Sequence, residues 1–201
     1  MLHGAKAPFL TYIRNKKINT NISNQKANKT KQQISMIYAY NKVGGNLLFG
    51  NGDSLPWKIK EDLENFKRIT LTSTIIMGAK TFQSLPSKLP HRKHVVLSTR
   101  DEKVLCKSGE SPDEQILIDD YSLKSISEID MSSYGKVFFI GGSELLNTVK
   151  HIVNKVYVTV ICGHYLGDVY LDKSLAHDSE FMSQFKKKFV LGNEVIFYEL
   201  S

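Results

Sequence analysis

Asp62 is the residue whose placement departs most from the ordinary. Residues 59–70 (IKEDLENFKRIT) fit a helix at about 100° per residue, on which Ile69, Phe66 and Ile59 fall within about 60° of Asp62. Lys60, Glu61, Glu64, Lys67 and Arg68 fall on the far side. One carboxylate therefore points where the apolar residues point. Burying an ion without a partner is costly, so such a group is driven to a raised pKa or to hydrogen-bond donors. A carboxyl with a raised pKa at a pocket's edge suits proton delivery near neutral pH. The alternative is a helix-start aspartate that accepts backbone N–H bonds, a common use of this residue. Pro56-Trp57, just upstream, tips the balance toward proton chemistry, because a wide indole beside a lone acid keeps solvent out. The loop tip before it, Gly50-Asn51-Gly52-Asp53, reads as built to move.

Two further places have the makings of a phosphate site. Gly78 (in IIMGAKTF) and Gly141-Gly142 (in FFIGGSEL) each end an apolar run and open a helical one. Helix starts present unpaired N–H groups, and glycine lets a phosphate approach the backbone. Two such junctions suit the two ends of a dinucleotide, although each alone is also what an ordinary turn looks like. Thr99-Arg100 offers a hydroxyl and a guanidinium for an extra phosphate, or is simply surface. The chain has no G-x-G-x-x-G and no P-loop pattern.

The elements that must position these residues are short and alternate in type. Strands are expected at Ile34–Tyr40, Ser73–Met77, His94–Ser98, Gln115–Ile118 (weaker), Lys136–Ile140 and Lys155–Ile161. A final pair is expected within Phe189–Leu200, about a Gly192-Asn193 turn. Gly44 to Pro56 reads as a glycine-rich loop. Helices are expected near Lys60–Thr70, Ala79–Leu85, Tyr121–Ile129 and from Ser143. The alternation predicts a single α/β domain with a central mixed, mostly parallel sheet flanked by helices on both faces.

Charge and composition exclude several classes. Lys6, Arg14, Lys16, Lys17, Lys26, Lys29 and Lys31 lie in residues 1–33, which hold no acid; the rest of the chain then has 20 basic and 20 acidic residues, so the net +7 belongs to the leader. Residues 15–33 have almost no apolar content and are expected to be disordered. Without a basic patch on the domain, nucleic-acid binding is not expected. No apolar run reaches the ~18–20 residues of a membrane span. Cys106 and Cys162 make neither a disulfide scaffold nor a zinc site, and no metal is expected. A cytoplasmic protein is the default, with organelle import through the leader as the alternative.

The stretches LPWKIKEDLENFK (Leu55–Lys67), IIMGAKTFQSLPSKLPHRKHVVLS (Ile75–Ser98), FFIGGSELL (Phe138–Leu146), VYVT (Val156–Thr159) and GDVYL (Gly167–Leu171) occur in family order. Through them residues 34–201 resemble dihydrofolate reductase, with most similarity to its T-even-phage branch. The resemblance implies NADPH-dependent reduction of 7,8-dihydrofolate to tetrahydrofolate, by hydride transfer to C6 with protonation at N5 supported by Asp62. It makes Thr159 a partner in the pterin contact and Trp57 the holder of the water that brings the proton. Ile37, Leu63, Phe66, Leu85, Leu89 and Ile140 would line the substrate wall, and Arg92 would clamp the substrate's α-carboxylate. Ala39, Leu55, Gly78, Lys80, Thr81, Ser98, Thr99, Arg100, Gly141, Gly142 and Ser143 would contact NADPH.

The departures from the family pattern lie around these residues. Ala79 stands where many members carry an Arg near the cofactor's 2′-phosphate, leaving Lys80 and Arg100 to recognise that charge. His91 replaces a glycine before Arg92, Ser143 replaces a third glycine, and the Gly44–Gly50 region is longer than in short bacterial members. Other readings remain: a riboflavin-pathway reductase on the same fold, a structural role such as a virion part, or nucleic-acid binding through the leader. The first is disfavoured because Asp62 and Arg92 occur together. A monomer or weak dimer is expected.

Overall fold

In the computed structural model, which describes residues 32–201, alternate strand residues fall into two separate cores. The strands are β1 (Ile34–Val43), β2 (Asn46–Gly50), β3 (Thr74–Gly78), β4 (Lys93–Ser98), β5 (Glu114–Leu117), β6 (Val137–Gly141), β7 (Lys155–Ile161), β8 (Val169–Leu171), β9 (Lys187–Leu191) and β10 (Val195–Leu200). The helices are α1 (Lys60–Thr70), α2 (Ala79–Ser84), α3 (Leu123–Ser127) and α4 (Ser143–Val149). Met36, Ile76 and Phe139 face one way, onto Ile126, Leu145 and Val149 of α3 and α4. Ile37, Ile75, Met77 and Phe138 face the other way, onto Phe82 of α2 and Phe66 and Ile69 of α1. The period of two in the strands thus loads both faces, each with its own pair of helices.

The sheet runs β5-β4-β3-β6-β1-β7-β10-β9. Pairings from β5 through β7 are parallel; β10 and β9 add on antiparallel. This is the mixed, mostly parallel α/β sheet that the sequence predicts. Among the described residues no helix is long and apolar enough to cross a membrane, and no group of His, Cys, Asp and Glu is arranged to hold a metal.

The glycine-rich stretch differs from expectation. Asn46–Gly50 is strand β2, folded back on β1 through Gly44-Gly45. Both glycines have positive φ, 55° and 79°, which is what a two-residue hairpin needs and other residues resist. β8, inside GDVYL, pairs with β2 and was not expected as a strand. Gly167 passes so close to β2 that a Cβ there would lie 2.3 Å from the Gly50 carbonyl oxygen. The expectations for the leader fall outside the described residues, apart from Gln32 and Gln33. Gln32 Nε2 donates to the Met131 carbonyl at 2.5 Å, and the Gln33 carbonyl accepts from Val137 at 3.4 Å.

Candidate active site

β1 and β6 are neighbours that pair only over Ile34–Met36 and Val137–Phe139. Past that point the pairing stops, with Ile37 and Ala39 on the β1 side and Ile140 and Gly141 on the β6 side. A bulge in the β3–β6 ladder falls between Ile76 and Met77, so Met77 pairs with Gly141 and Ile140 is skipped. The parting of two parallel strands at a point where chain order reverses is where such sheets bind ligands.

On one side stands Asp62, in the first turn of α1 and 7% exposed. Ile59 at the N-cap makes no side-chain bond, and the groups that act on the Asp62 carboxyl are Thr159 and Trp57 instead of helix-start N–H groups. Burial raises the Asp62 carboxyl above its ordinary value, while Thr159 and Trp57 pull it back. Thr159 is buried on β7, in register with Ala39 of β1. Trp57 is buried among Ile59, Ile161 and Val195, edge-on to Tyr165 at 5.9 Å. Its indole Nε1 is buried without a hydrogen-bond partner. The loop before it is tied down: the Gly52 N–H donates to Asp168 Oδ1 at 2.7 Å.

Away from Asp62, Phe66, Leu85, Leu89 and Ile140 are partly buried against the core that contains Ile37. Leu63 stands apart from that cluster and is half exposed. Arg92 reaches across this end: its guanidinium lies 5.9 Å from the Phe66 ring centroid and donates to Thr70 Oγ1 at 3.2 Å.

A cavity of about 450 Å³ opens at the carboxyl ends of three adjacent strands, β4, β3 and β6. Gly78, Lys80, Thr81, Ser98, Thr99, Arg100, Gly142 and Ser143 line it. Gly141 lies behind Thr81, where a Cβ would come within 3.3 Å of Oγ1, and its φ of 147° further disfavours any side chain. The Gly141–Gly142 peptide is cis. Ala39 and Leu55 do not line this cavity; Leu55 is half exposed on the loop before Trp57.

Sequence reasoning missed several lining residues. Tyr121 lines the cavity and donates to the Leu97 carbonyl at 2.8 Å, and a Cβ on Gly78 would sit 3.0 Å from its hydroxyl. Lys103 and Glu102 also line it. Lys103 had a signal in the charged run after Thr99; Tyr121 had none, because only the fold brings it to the end of β3.

The division of labour between the two ends defines the class. One end offers cations and close-approach glycines to a phosphate-bearing cofactor, and the other keeps an acid dry beside an apolar wall. That is the layout of a pyridine-nucleotide-dependent reductase. Comparison with known proteins makes the class particular: the chain belongs to the dihydrofolate reductase family, whose model matches residues 33–197. It is 33% identical over 154 residues to dihydrofolate reductase type 9 of Escherichia coli, covering 75% of this chain and 82% of that one. It is 37% identical over 139 residues to the dihydrofolate reductase of Buchnera aphidicola, covering 68% and 76%. In fold it is similar to dihydrofolate reductase from Enterococcus faecalis complexed with NADP(H) and RAB-propyl, at a TM-score of 0.64 and 22% identity over 84% of this chain and 94% of that one.

Proposed function

We propose that the chain reduces 7,8-dihydrofolate to tetrahydrofolate with NADPH, and that Asp62 supports protonation of the pterin N5. The observation that carries the Asp62 role is the buried carboxyl itself. Its burial favours the protonated form, and Thr159 and Trp57 are the side chains that draw it back.

The residues present fit the cofactor. A dinucleotide phosphate needs cations and room for the backbone to approach; Lys80, Arg100 and Lys103 supply the first, and Gly78 and Gly142 the second. Ser98, Thr99, Thr81 and Ser143 add hydroxyls. When bound there, NADPH supplies the hydride.

The chain's own work is binding, alignment and proton control. Ile37, Phe66, Leu85, Leu89 and Ile140 exclude water from the flat part of the substrate, with Leu63 at the rim. Arg92 donates from Nε to the Pro90 carbonyl and from Nη1 to Thr70 Oγ1, which leaves Nη2 for a carboxylate at the outer end. Trp57 closes the far side, and its unpaired Nε1–H is a donor left for the water or substrate atom through which the proton passes. Aligning two rings and supplying one proton leaves the difficult step to the cofactor.

The test is loss of NADPH absorbance on adding dihydrofolate, with Asp62→Asn in parallel. Turnover by the native chain is expected, and a loss of about a hundredfold or more in the variant at neutral pH. Activity of the variant should partly return as pH falls, because solution acid then supplies the proton. Full activity of Asp62→Asn at neutral pH would remove the acid assignment. Binding of NADPH without turnover would move the substrate elsewhere.

A further inference from the structure

His94 has no role in the site described so far, yet it is fully buried at the start of β4 with both ring nitrogens engaged. The Leu89 backbone N–H donates to Nε2 at 2.9 Å, and Nδ1 lies 3.3 Å from Asp113 Oδ2. A ring nitrogen that accepts a hydrogen bond carries no proton, so the ring is neutral imidazole with its hydrogen on Nδ1, toward the carboxylate. Asp113 is itself fixed. Its Oδ2 accepts the His94 backbone N–H at 2.7 Å, its Oδ1 accepts the Lys88 ammonium, and its own N–H donates to the His94 carbonyl at 3.0 Å. Phe82 of α2 meets the imidazole edge-on at 6.0 Å. The charged groups around the ring are Asp113, Lys88 and Arg92, with Glu110 behind, whose Oε2 accepts the Lys88 N–H at 3.2 Å.

Residues 85–92, between α2 and β4, form an irregular connection that carries Leu85, Leu89 and Arg92. We propose that His94 is a positioning residue for the substrate end of the cleft: by accepting the Leu89 N–H it sets this connection, and with it Leu89 on the apolar wall and Arg92 over Phe66. The proposal rests on the assignment of Leu89 and Arg92 to the substrate.

Acid reverses the arrangement. A second proton must go onto Nε2, which then presents a hydrogen to the Leu89 N–H instead of a lone pair. The cation so formed is buried, with Lys88 and Arg92 against it and Asp113 alone in its favour. Burial is the largest effect and holds His94 below the ordinary histidine value. The neutral, accepting form therefore persists at neutral pH and is lost only as pH falls through that lowered value.

The test compares the full-length chain with His94→Phe, His94→Gln and Arg92→Leu. Steady-state kinetics and calorimetric titration of NADPH are run from about pH 7.5 to about pH 5, across the histidine range. Exchange of the Leu89 amide is followed by NMR. His94→Phe is expected to raise the dihydrofolate KM about tenfold, the scale of one lost buried hydrogen bond, with kcat and NADPH Kd changed less than about twofold. Its Leu89 amide should exchange faster. His94→Gln offers a carbonyl oxygen that does not titrate, and should restore KM and flatten its rise toward acid pH.

An unchanged KM in His94→Phe, while Arg92→Leu weakens dihydrofolate, overturns the proposal and leaves the substrate assignment standing. Equal losses of dihydrofolate and NADPH overturn it too, since they mark general packing. If Arg92→Leu leaves dihydrofolate untouched, the substrate assignment fails, and the link from His94 to KM fails with it. Should His94→Phe not fold, a KM that rises toward acid equally in the native chain and His94→Gln decides against the proposal.

Discussion

Asp62 sits where its charged form is disfavoured, and this has a consequence for stability as well as for chemistry. The folded chain holds the Asp62 proton more tightly than the unfolded chain, whose carboxyl titrates near 3.8. Stability therefore falls as pH rises from about 3.8 through the raised value, above which the cost is fully present. Asp62→Asn should raise the Tm near neutral pH, with the gain shrinking as the solution is acidified; thermal melts across pH read it directly. A lower Tm would mean that the pull of Thr159 and Trp57 on the carboxyl outweighs burial. Arg92→Leu, by contrast, should weaken dihydrofolate about tenfold or more in calorimetry and leave the NADPH Kd unchanged, as loss of a charged hydrogen bond to one ligand would. Asp62 could be read from the chain because helix periodicity fixes a side chain's direction locally. His94 could not: Leu89 and Asp113 reach it from two separate connections, and no spacing announces that meeting.

At the scale of elements, the junction between β3 and α2 is the tightest part of the cofactor groove. The φ of Gly78 is −74°, which any residue adopts, so its requirement is for space alone. A methyl group there would lie 3.0 Å from the Tyr121 hydroxyl and 3.6 Å from the ring carbon that bears it. Gly78→Ala should therefore displace Tyr121 and weaken NADPH, by about 1–3 kcal/mol if the groove cannot adjust. Adding Tyr121→Phe removes the close atom and should recover part of that loss in the same titration. No recovery would place the fault in approach of the cofactor to the backbone. The sequence announces the glycine, the strand end and the helix start, since all three are local. The reason for the glycine is a tyrosine 43 positions further on, and only the sheet order brings the two together. β2 escaped notice for a related reason: its flanking glycines look like a loop until their left-handed backbone is seen to make a hairpin.

For the molecule as a whole, two cores on one sheet make the domain, and the alternating strand pattern was enough to predict both helical layers. The domain's beginning is better placed by contacts than by composition. Gln32 and Gln33 are as polar as the residues before them, yet both already bond to the body. Removing residues 1–33 should lower the Tm slightly further than removing residues 1–31, and paired melts of the two truncations test this. Trp57, placed against Asp62 and Tyr165, is the sole tryptophan in the sequence. Light absorbed at the red edge, where tyrosines are dark, is therefore emitted from the Asp62 end of the site alone. A bound reduced nicotinamide absorbs in the range where an indole emits, so the chain carries a built-in optical reporter of occupancy, and arrival and departure of ligands can be timed without attaching a dye.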